Sequence, residues 1–216
     1  IPPEYNPNEW DYNHIKLENQ FDDYKIRSIE LDIYHDPQGG NFYVQKGNSL
    51  VGLSDTSGTP ELLSPGFKLL HIPDVDYMTN YYTFKDALIH IENWSDAHPN
   101  HFPIFIMIEL KTESLKDALP ASIFTSALPF TKNALDSVDL EIKQIFGENL
   151  LKVITPDDLR GKYTTINESV KNGNWPTIKE SRGKVCFILM TSDQQEIDYL
   201  TGHQNLTGRA AFIFSD

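Results

Sequence analysis

A single cysteine, Cys186, among 216 residues leaves no partner for an internal disulfide. It falls in the apolar run Val185-Cys186-Phe187-Ile188-Leu189, where the expected role is a small buried hydrophobe rather than a nucleophile. No stretch approaches the roughly 18 consecutive apolar residues of a membrane-spanning helix. No glycine-rich phosphate loop occurs, which argues against a nucleotide. No Gly-x-Ser-x-Gly occurs, which argues against a serine lipase. Positive charge is scarce: 18 Lys and Arg stand against 31 Asp and Glu, a net charge of −13 at pH 7. Nucleic-acid phosphates call for basic patches, so no nucleic-acid partner is expected. A polybasic stretch suited to anionic lipid is missing too. The acidity is read mostly as solubility, with some carboxylates gathered at a cation site. The sequence opens on Ile1 rather than Met with no signal peptide ahead of it, so it is expected to begin inside a longer product or after processing.

Apolar residues make up 39% and charged residues 23%, ordinary for a globular domain, and the chain is read as one domain over 1–216. Short apolar runs alternate with helical patterns, the grammar of a parallel α/β fold. Strands are expected at Ile26–Tyr34, Phe67–His71, Ile104–Lys111, Leu150–Ile154, Lys184–Met190 and Ala210–Phe214. Thr83 caps a helix whose stripe is Phe84, Leu88, Ile91 and Trp94, stopped by Pro99. Leu135, Val138, Ile142, Ile145 and Phe146 mark a second helix, ended by Gly147. Pro156–Gly161 reads as one helical turn, and Ser192–Leu200 as a helix closed by Gly202. Asp36–Pro65 is the longest unpatterned stretch, and loops of that length are often functional. A closed (β/α)₈ barrel needs eight strands and roughly 250 residues. Six strands in the open would leave unpaired edges. A strand before Ile1 and at least one after Asp216 are therefore expected, making this a barrel domain incomplete at both ends.

The chemistry begins at Ile29-Glu30-Leu31-Asp32-Ile33. Strand alternation puts Glu30 and Asp32 on one face and the three apolar residues on the other. If the apolar set faces covering helices, the acids point into a barrel near the strand's C-terminal end, where barrel sites lie; the alternative is an edge strand with a solvated acidic face. Two inward carboxylates raise each other's pKa, and a cation resolves the conflict. Ile104–Lys111 is apolar enough to be covered on both faces. It places Glu109 and Lys111 together at its C-terminal end, either as a third acid with a phosphate-binding ammonium or as a plain buried ion pair. His71 ends the Phe67–His71 strand on the same rim, suited to general acid–base work. All three acids offer hard oxygen donors, which favours Ca²⁺ or Mg²⁺ over zinc. Such a cation offsets the charge of a phosphodiester. His98 and His101 flank Pro99 at the opposite end and read as structural; His35 follows the acidic strand and could approach substrate.

In this order and spacing the segments resemble the calcium-dependent phosphoinositide phospholipases C of bacterial type. The matching stretches are Ile29-Glu30-Leu31-Asp32, Pro65-Gly66-Phe67-Lys68-Leu69-Leu70-His71, Trp94-Ser95-Asp96-Ala97-His98-Pro99, Ile108-Glu109-Leu110-Lys111, Thr155-Pro156-Asp157-Asp158, Asn174-Trp175-Pro176 and Ser181-Arg182-Gly183-Lys184. The resemblance runs from about Tyr12 to Arg209. It implies a TIM-type barrel, Ca²⁺ held by Glu30, Asp32 and Glu109, and His71 as one of two catalytic histidines. The other histidine and an adjacent asparagine ligand belong to a segment that Ile1-Pro2-Pro3-Glu4 looks set to follow. The implied reaction is attack of the inositol 2-hydroxyl on phosphorus, release of diacylglycerol and formation of a cyclic inositol phosphate. Peripheral contact with a phospholipid surface and export from the cell, secreted or periplasmic, are also implied. A glycerophosphodiester phosphodiesterase is the alternative, since that related barrel uses a Glu-x-Asp pair, a later His and a Glu-x-Lys. The matches around Trp94–Pro99 and Asn174–Pro176 favour the phospholipase. A non-catalytic binding module on a degenerate barrel is a third reading.

Overall fold

The structure, a computed structural model, describes residues 12–119 and 123–215, so the Ile1–Glu4 segment lies outside the described residues. Five apolar runs become strands: β1 (Ser28–Tyr34), β2 (Lys68–Leu69), β3 (Ile104–Leu110), β4 (Val185–Thr191) and β5 (Ala211–Ser215). They form one sheet in the order β2-β1-β3-β4-β5. The helices in chain order are α1 (Leu17–Asp23), α2 (Lys46–Leu50), α3 (Phe84–Ala97), α4 (Leu115–Ala118), α5 (Lys132–Phe146), α6 (Pro156–Arg160), α7 (Ile166–Lys171), α8 (Ile178–Ser181) and α9 (Asp193–Leu200).

Local signals explain most boundaries. The Thr83 side chain accepts from the Asp86 amide and starts α3. Gly147, at φ +81°, ends α5. Thr155 and Asp158 form a capping box at the start of α6, with Pro156 as its first residue. One sheet face packs under the helices: Ile104, Ile106 and Ile108 of β3 are fully buried in a cluster with Leu88 and Ile91 of α3 and Leu135 and Val138 of α5. Arg209, at the entry to β5, ties three elements together. Its Nη1 lies 3.0 Å from Asp139 of α5, its Nε donates to the Tyr199 carbonyl of α9 at 2.8 Å, and the Tyr199 hydroxyl donates to Asp139 at 2.6 Å.

Three expectations are corrected. β1, β3, β4 and β5 are parallel, but β2 runs antiparallel to β1, with Ile33 opposite Leu69 and Tyr34 opposite Lys68. The chain leaves β1 at its C-terminal end and re-enters the sheet at that end, without a crossover, so the next strand must run the other way. Leu150–Ile154 is not a strand. A turn at Leu150 (φ +49°) opens it and Thr155 caps the helix that follows, leaving room for one bridge, Val153 to Val185. The third is β3, which is not covered on both faces: Phe105 is 37% exposed and Met107 is half-buried, on the face opposite the helices.

The Asp36–Pro65 stretch is ordered by its own small core. Phe42 and Leu62 are buried with Tyr34 of β1 and Leu70, and Tyr77 packs against them. That core sits at the C-terminal end of β1 and fixes the loop against the candidate site.

Candidate functional site

Strand alternation builds the site. In β1 the burial pattern leaves Glu30 exposed and Asp32 half-buried, while Ile29, Leu31 and Ile33 are buried on the helix side. The parallel register then sets Asp32 directly beside Glu109 of β3. One carboxylate oxygen from each of Glu30, Asp32 and Glu109 lies within 4.8 Å of the others. Lys111, just past β3, reaches into the group: its Nζ is 3.1 Å from Glu109 Oε1 and 3.7 Å from Asp32 Oδ2. Three carboxylates against one ammonium, 3 − 1, leave two negative charges uncompensated, which suits a divalent cation.

The electrostatics agree. Burial, with Glu109 and Glu30 adding to it and Lys111 opposing it, pushes the Asp32 carboxyl from 3.8 up to about 6. For Lys111, burial works against the charged form, but Asp32 and Glu109 outweigh it and raise the ammonium's pKa. A site of this kind holds protons because it lacks enough positive charge. The donor set is all carboxylate oxygen, which fits Ca²⁺. Such an ion competes with the Asp32 proton, so its affinity is expected to rise with pH until Asp32 is ionised. Calorimetric titration about one pH unit below 6 is expected to give roughly tenfold weaker Ca²⁺ binding than titration well above it. Equal affinities would show that Asp32 is not a ligand.

His71 lies just beyond β2, at the same end of the sheet. Its ring is partly exposed, and Nδ1 pairs with Asp76 Oδ2 at 2.7 Å. The Tyr34 hydroxyl sits 3.3 Å from the His71 carbonyl oxygen and 3.4 Å from that of Glu113. It thereby joins the turn after β2 to the loop after β3. Asp74, buried and at φ +74°, clamps the His71 turn from behind. It accepts from the Lys46 amide at 2.9 Å and from the Thr125 amide at 2.6 Å. Asp74 and Asp76 are the residues that sequence reasoning missed. The His71-Ile72-Pro73-Asp74-Val75-Asp76 spacing, with its Pro and two Asp, was the signal of a turn folding back on the histidine. Also missed was a cleft of about 780 Å³ beside Glu109, lined by Glu113, Thr191, Ser192, Gln194 and Phe214 among others.

The structure does not bring His35 to this group. Alternation beyond Ile33 turns it toward the helix side, where its ring lies 5.6 Å from that of Phe67 and 5.9 Å from that of Phe130, and burial lowers its pKa. His98, at the C-terminal end of α3, stacks on Trp94 at 4.2 Å, and His101 Nε2 meets the Ser95 hydroxyl at 2.7 Å, which fastens the stretch before β3 to α3.

None of the curated proteins matches the chain in a sequence comparison. Among solved structures, the chain is similar to a calcium-dependent phosphoinositol-specific phospholipase C from the Gram-negative bacterium Pseudomonas sp. The TM-score is 0.58 at 19% identity, over 100% of this chain and 70% of that one. It is also similar to a Ca²⁺-dependent phosphatidylinositol-specific phospholipase C from Streptomyces antibioticus, with a TM-score of 0.50 at 26% identity, over 88% of this chain and 57% of that one. The fold is the TIM-type barrel of these enzymes, present among the described residues as one open five-stranded sheet. The model of the Ca²⁺-dependent phosphoinositide phospholipase C family matches residues 3–216, and the chain belongs to that family of phosphoric diester hydrolases.

Proposed function

We propose that the protein cleaves phosphatidylinositol-type lipids to diacylglycerol and a cyclic inositol phosphate, with Glu30, Asp32 and Glu109 holding Ca²⁺ and His71 moving the proton. The carrying observation is the three-carboxylate group within 4.8 Å, with the His71 turn tied through the Tyr34 hydroxyl to the loop that follows β3. In the reaction the inositol 2-hydroxyl oxygen bonds to phosphorus, and the bond from phosphorus to the glycerol oxygen breaks. The hydroxyl proton passes to a base, and His71 delivers a proton to the departing glycerol oxygen. Asp76 holds Nδ1, so Nε2 is the nitrogen that exchanges a proton with substrate. Lys111 Nζ, already between two carboxylates, turns toward a non-bridging phosphate oxygen. Nucleophile and phosphorus belong to one molecule, which favours the cyclic product. A bound Ca²⁺ supplies charge compensation to the phosphate and lowers the pKa of a coordinated hydroxyl.

Phosphorus NMR of the full-length protein with phosphatidylinositol tests this reading. A cyclic inositol phosphate resonance is expected with Ca²⁺ and its disappearance with chelator. Turnover of glycerophosphodiesters in place of the lipid would move the assignment to the related phosphodiesterases. No turnover of either substrate would favour a binding module.

A further inference from the structure

Strand β1 places one more residue on the face of the acids. A period of two puts Tyr34 in line with Glu30 and Asp32, at the strand's C-terminal end. Its side chain is buried, 2% exposed, and its ring lies 5.2 Å from that of Phe42, in the small core shared with Leu62 and Leu70. A phenylalanine would fill the same space without burying a polar atom, so the hydroxyl calls for a reason of its own.

The reason lies in what the oxygen meets. The one phenol proton faces two backbone carbonyls, that of His71 at 3.3 Å and that of Glu113 at 3.4 Å. They belong to segments 37 and 79 residues further along the chain. Each segment carries a group that the proposed reaction uses. The first holds His71 itself. The second follows Lys111, whose amide donates to the Ile33 carbonyl at 3.0 Å. Both contacts are long for an O–H···O bond, which fits a proton shared between two acceptors.

Other contacts hold the His71 turn without referring it to the acids. β2 pairs with β1 through Lys68 and Leu69, two residues short of His71. Beyond that point Ile72 and Asp76 bond to each other, at 3.0 and 2.9 Å, and Asp74 reaches Lys46 and Thr125. None of these bonds reaches β1. We infer that Tyr34 is a positioning residue for the proton transfer: its hydroxyl sets the His71 carbonyl, and with it the imidazole, at a fixed offset from the strand that bears Glu30 and Asp32. Tyr34 acts through His71. Its loss leaves the Asp74 clamp and the Asp76 pair in place, so the turn drifts rather than unfolds.

This inference rests on the proposed reaction, and its test has two arms that fail separately. Full-length Tyr34→Phe keeps the ring in its core and removes the hydroxyl alone. On phosphatidylinositol with Ca²⁺, kcat is expected to fall about tenfold with KM unchanged, because alignment is lost and substrate contacts are not. In a His71→Gln background the same substitution is expected to change nothing further. A merely structural tyrosine would give the same fractional loss in both backgrounds. The second arm needs no turnover. In chelator, the Asp76 amide, which donates to the Ile72 carbonyl at 2.9 Å, is expected to exchange its hydrogen about tenfold faster in Tyr34→Phe. The Phe105 amide, bonded to the Arg27 carbonyl at 2.8 Å, is expected to exchange as in wild type. Losses that multiply in the double variant, unchanged exchange at Asp76, or faster exchange at both amides would each overturn the inference. If wild type cleaves no inositol lipid while the turn alone loosens in Tyr34→Phe, the tie stands and the proposed reaction falls.

Discussion

Asp32→Asn is expected to lower Ca²⁺-dependent cleavage of phosphatidylinositol by on the order of 10³-fold and, in chelator above about pH 6, to raise the melting temperature. The two effects have one cause. Asp32 stands beside Glu109 across the β1–β3 register and near Glu30, so its charge is useful only with a cation to share. Asparagine keeps the shape and one oxygen but removes the charge, and on the order of several kcal/mol of electrostatic stabilisation of the phosphoryl transfer goes with it. Without the ion the same charge is a liability. The folded-state pKa, about 6, lies above the ordinary 3.8. The wild-type stability tied to the neutral carboxyl is therefore full below about 3.8 and lost as pH rises through about 6. Asparagine is neutral throughout, so the variant and wild type should melt alike below about 3.8 and separate in favour of the variant as pH rises, with the full difference above about 6. Lys111 keeps Glu109 as partner at 3.1 Å, so the substitution strands no ammonium. Thermal melts across pH in chelator, alongside turnover with Ca²⁺, check both halves. An apo variant less stable than wild type at neutral pH would show that Asp32 is a structural acid and not an ion ligand.

The acids were legible in the sequence because a strand has a period of two, and Ile29, Leu31 and Ile33 could be buried only by sending Glu30 and Asp32 the other way. The same logic placed Glu109 and Lys111. Helix limits were legible where a cap fixes them chemically, as at Thr83, Gly147 and Pro156. What escaped depended on where the chain goes after a strand. Lys68–Leu69 pairs antiparallel because the preceding loop returns to the end it left, and that path is not written in the local pattern. Leu150–Ile154 has the composition of a strand, but its neighbours at Leu150 and Thr155 commit to a turn and a helix, and their geometry outweighs composition. His35 has a polar side chain at a strand end, which suggested a rim residue; alternation carried it to Phe67 and Phe130 instead. Asp76 was invisible as a partner because a pairing five residues apart in a loop appears only once the Ile72–Asp76 bridge folds it back.

That pairing carries the second large effect. His71→Gln is expected to lower turnover of phosphatidylinositol by about 10³-fold, within the range that proton transfer by a positioned side chain supplies. Asp76→Asn is expected to cost on the order of 10²-fold, since Asp76 touches Nδ1 and acts only through the imidazole. A carboxylate there fixes the ring's tautomer and orientation; an amide does so less well. If the two residues act as one unit, the double variant is no slower than His71→Gln alone, because the aspartate has nothing left to orient. The leaving group gives a readout that a purely structural role would not move. An inositol phosphodiester that releases a nitrophenolate needs little protonation, so the loss in His71→Gln should shrink sharply on that substrate. Equal losses on lipid and nitrophenyl substrates would mean that His71 does not protonate the departing oxygen and acts elsewhere in the reaction, such as on the attacking hydroxyl. Both side chains are partly exposed, at 38% and 27%, so neither substitution opens a core cavity, and a loss of activity is readable as chemistry rather than unfolding.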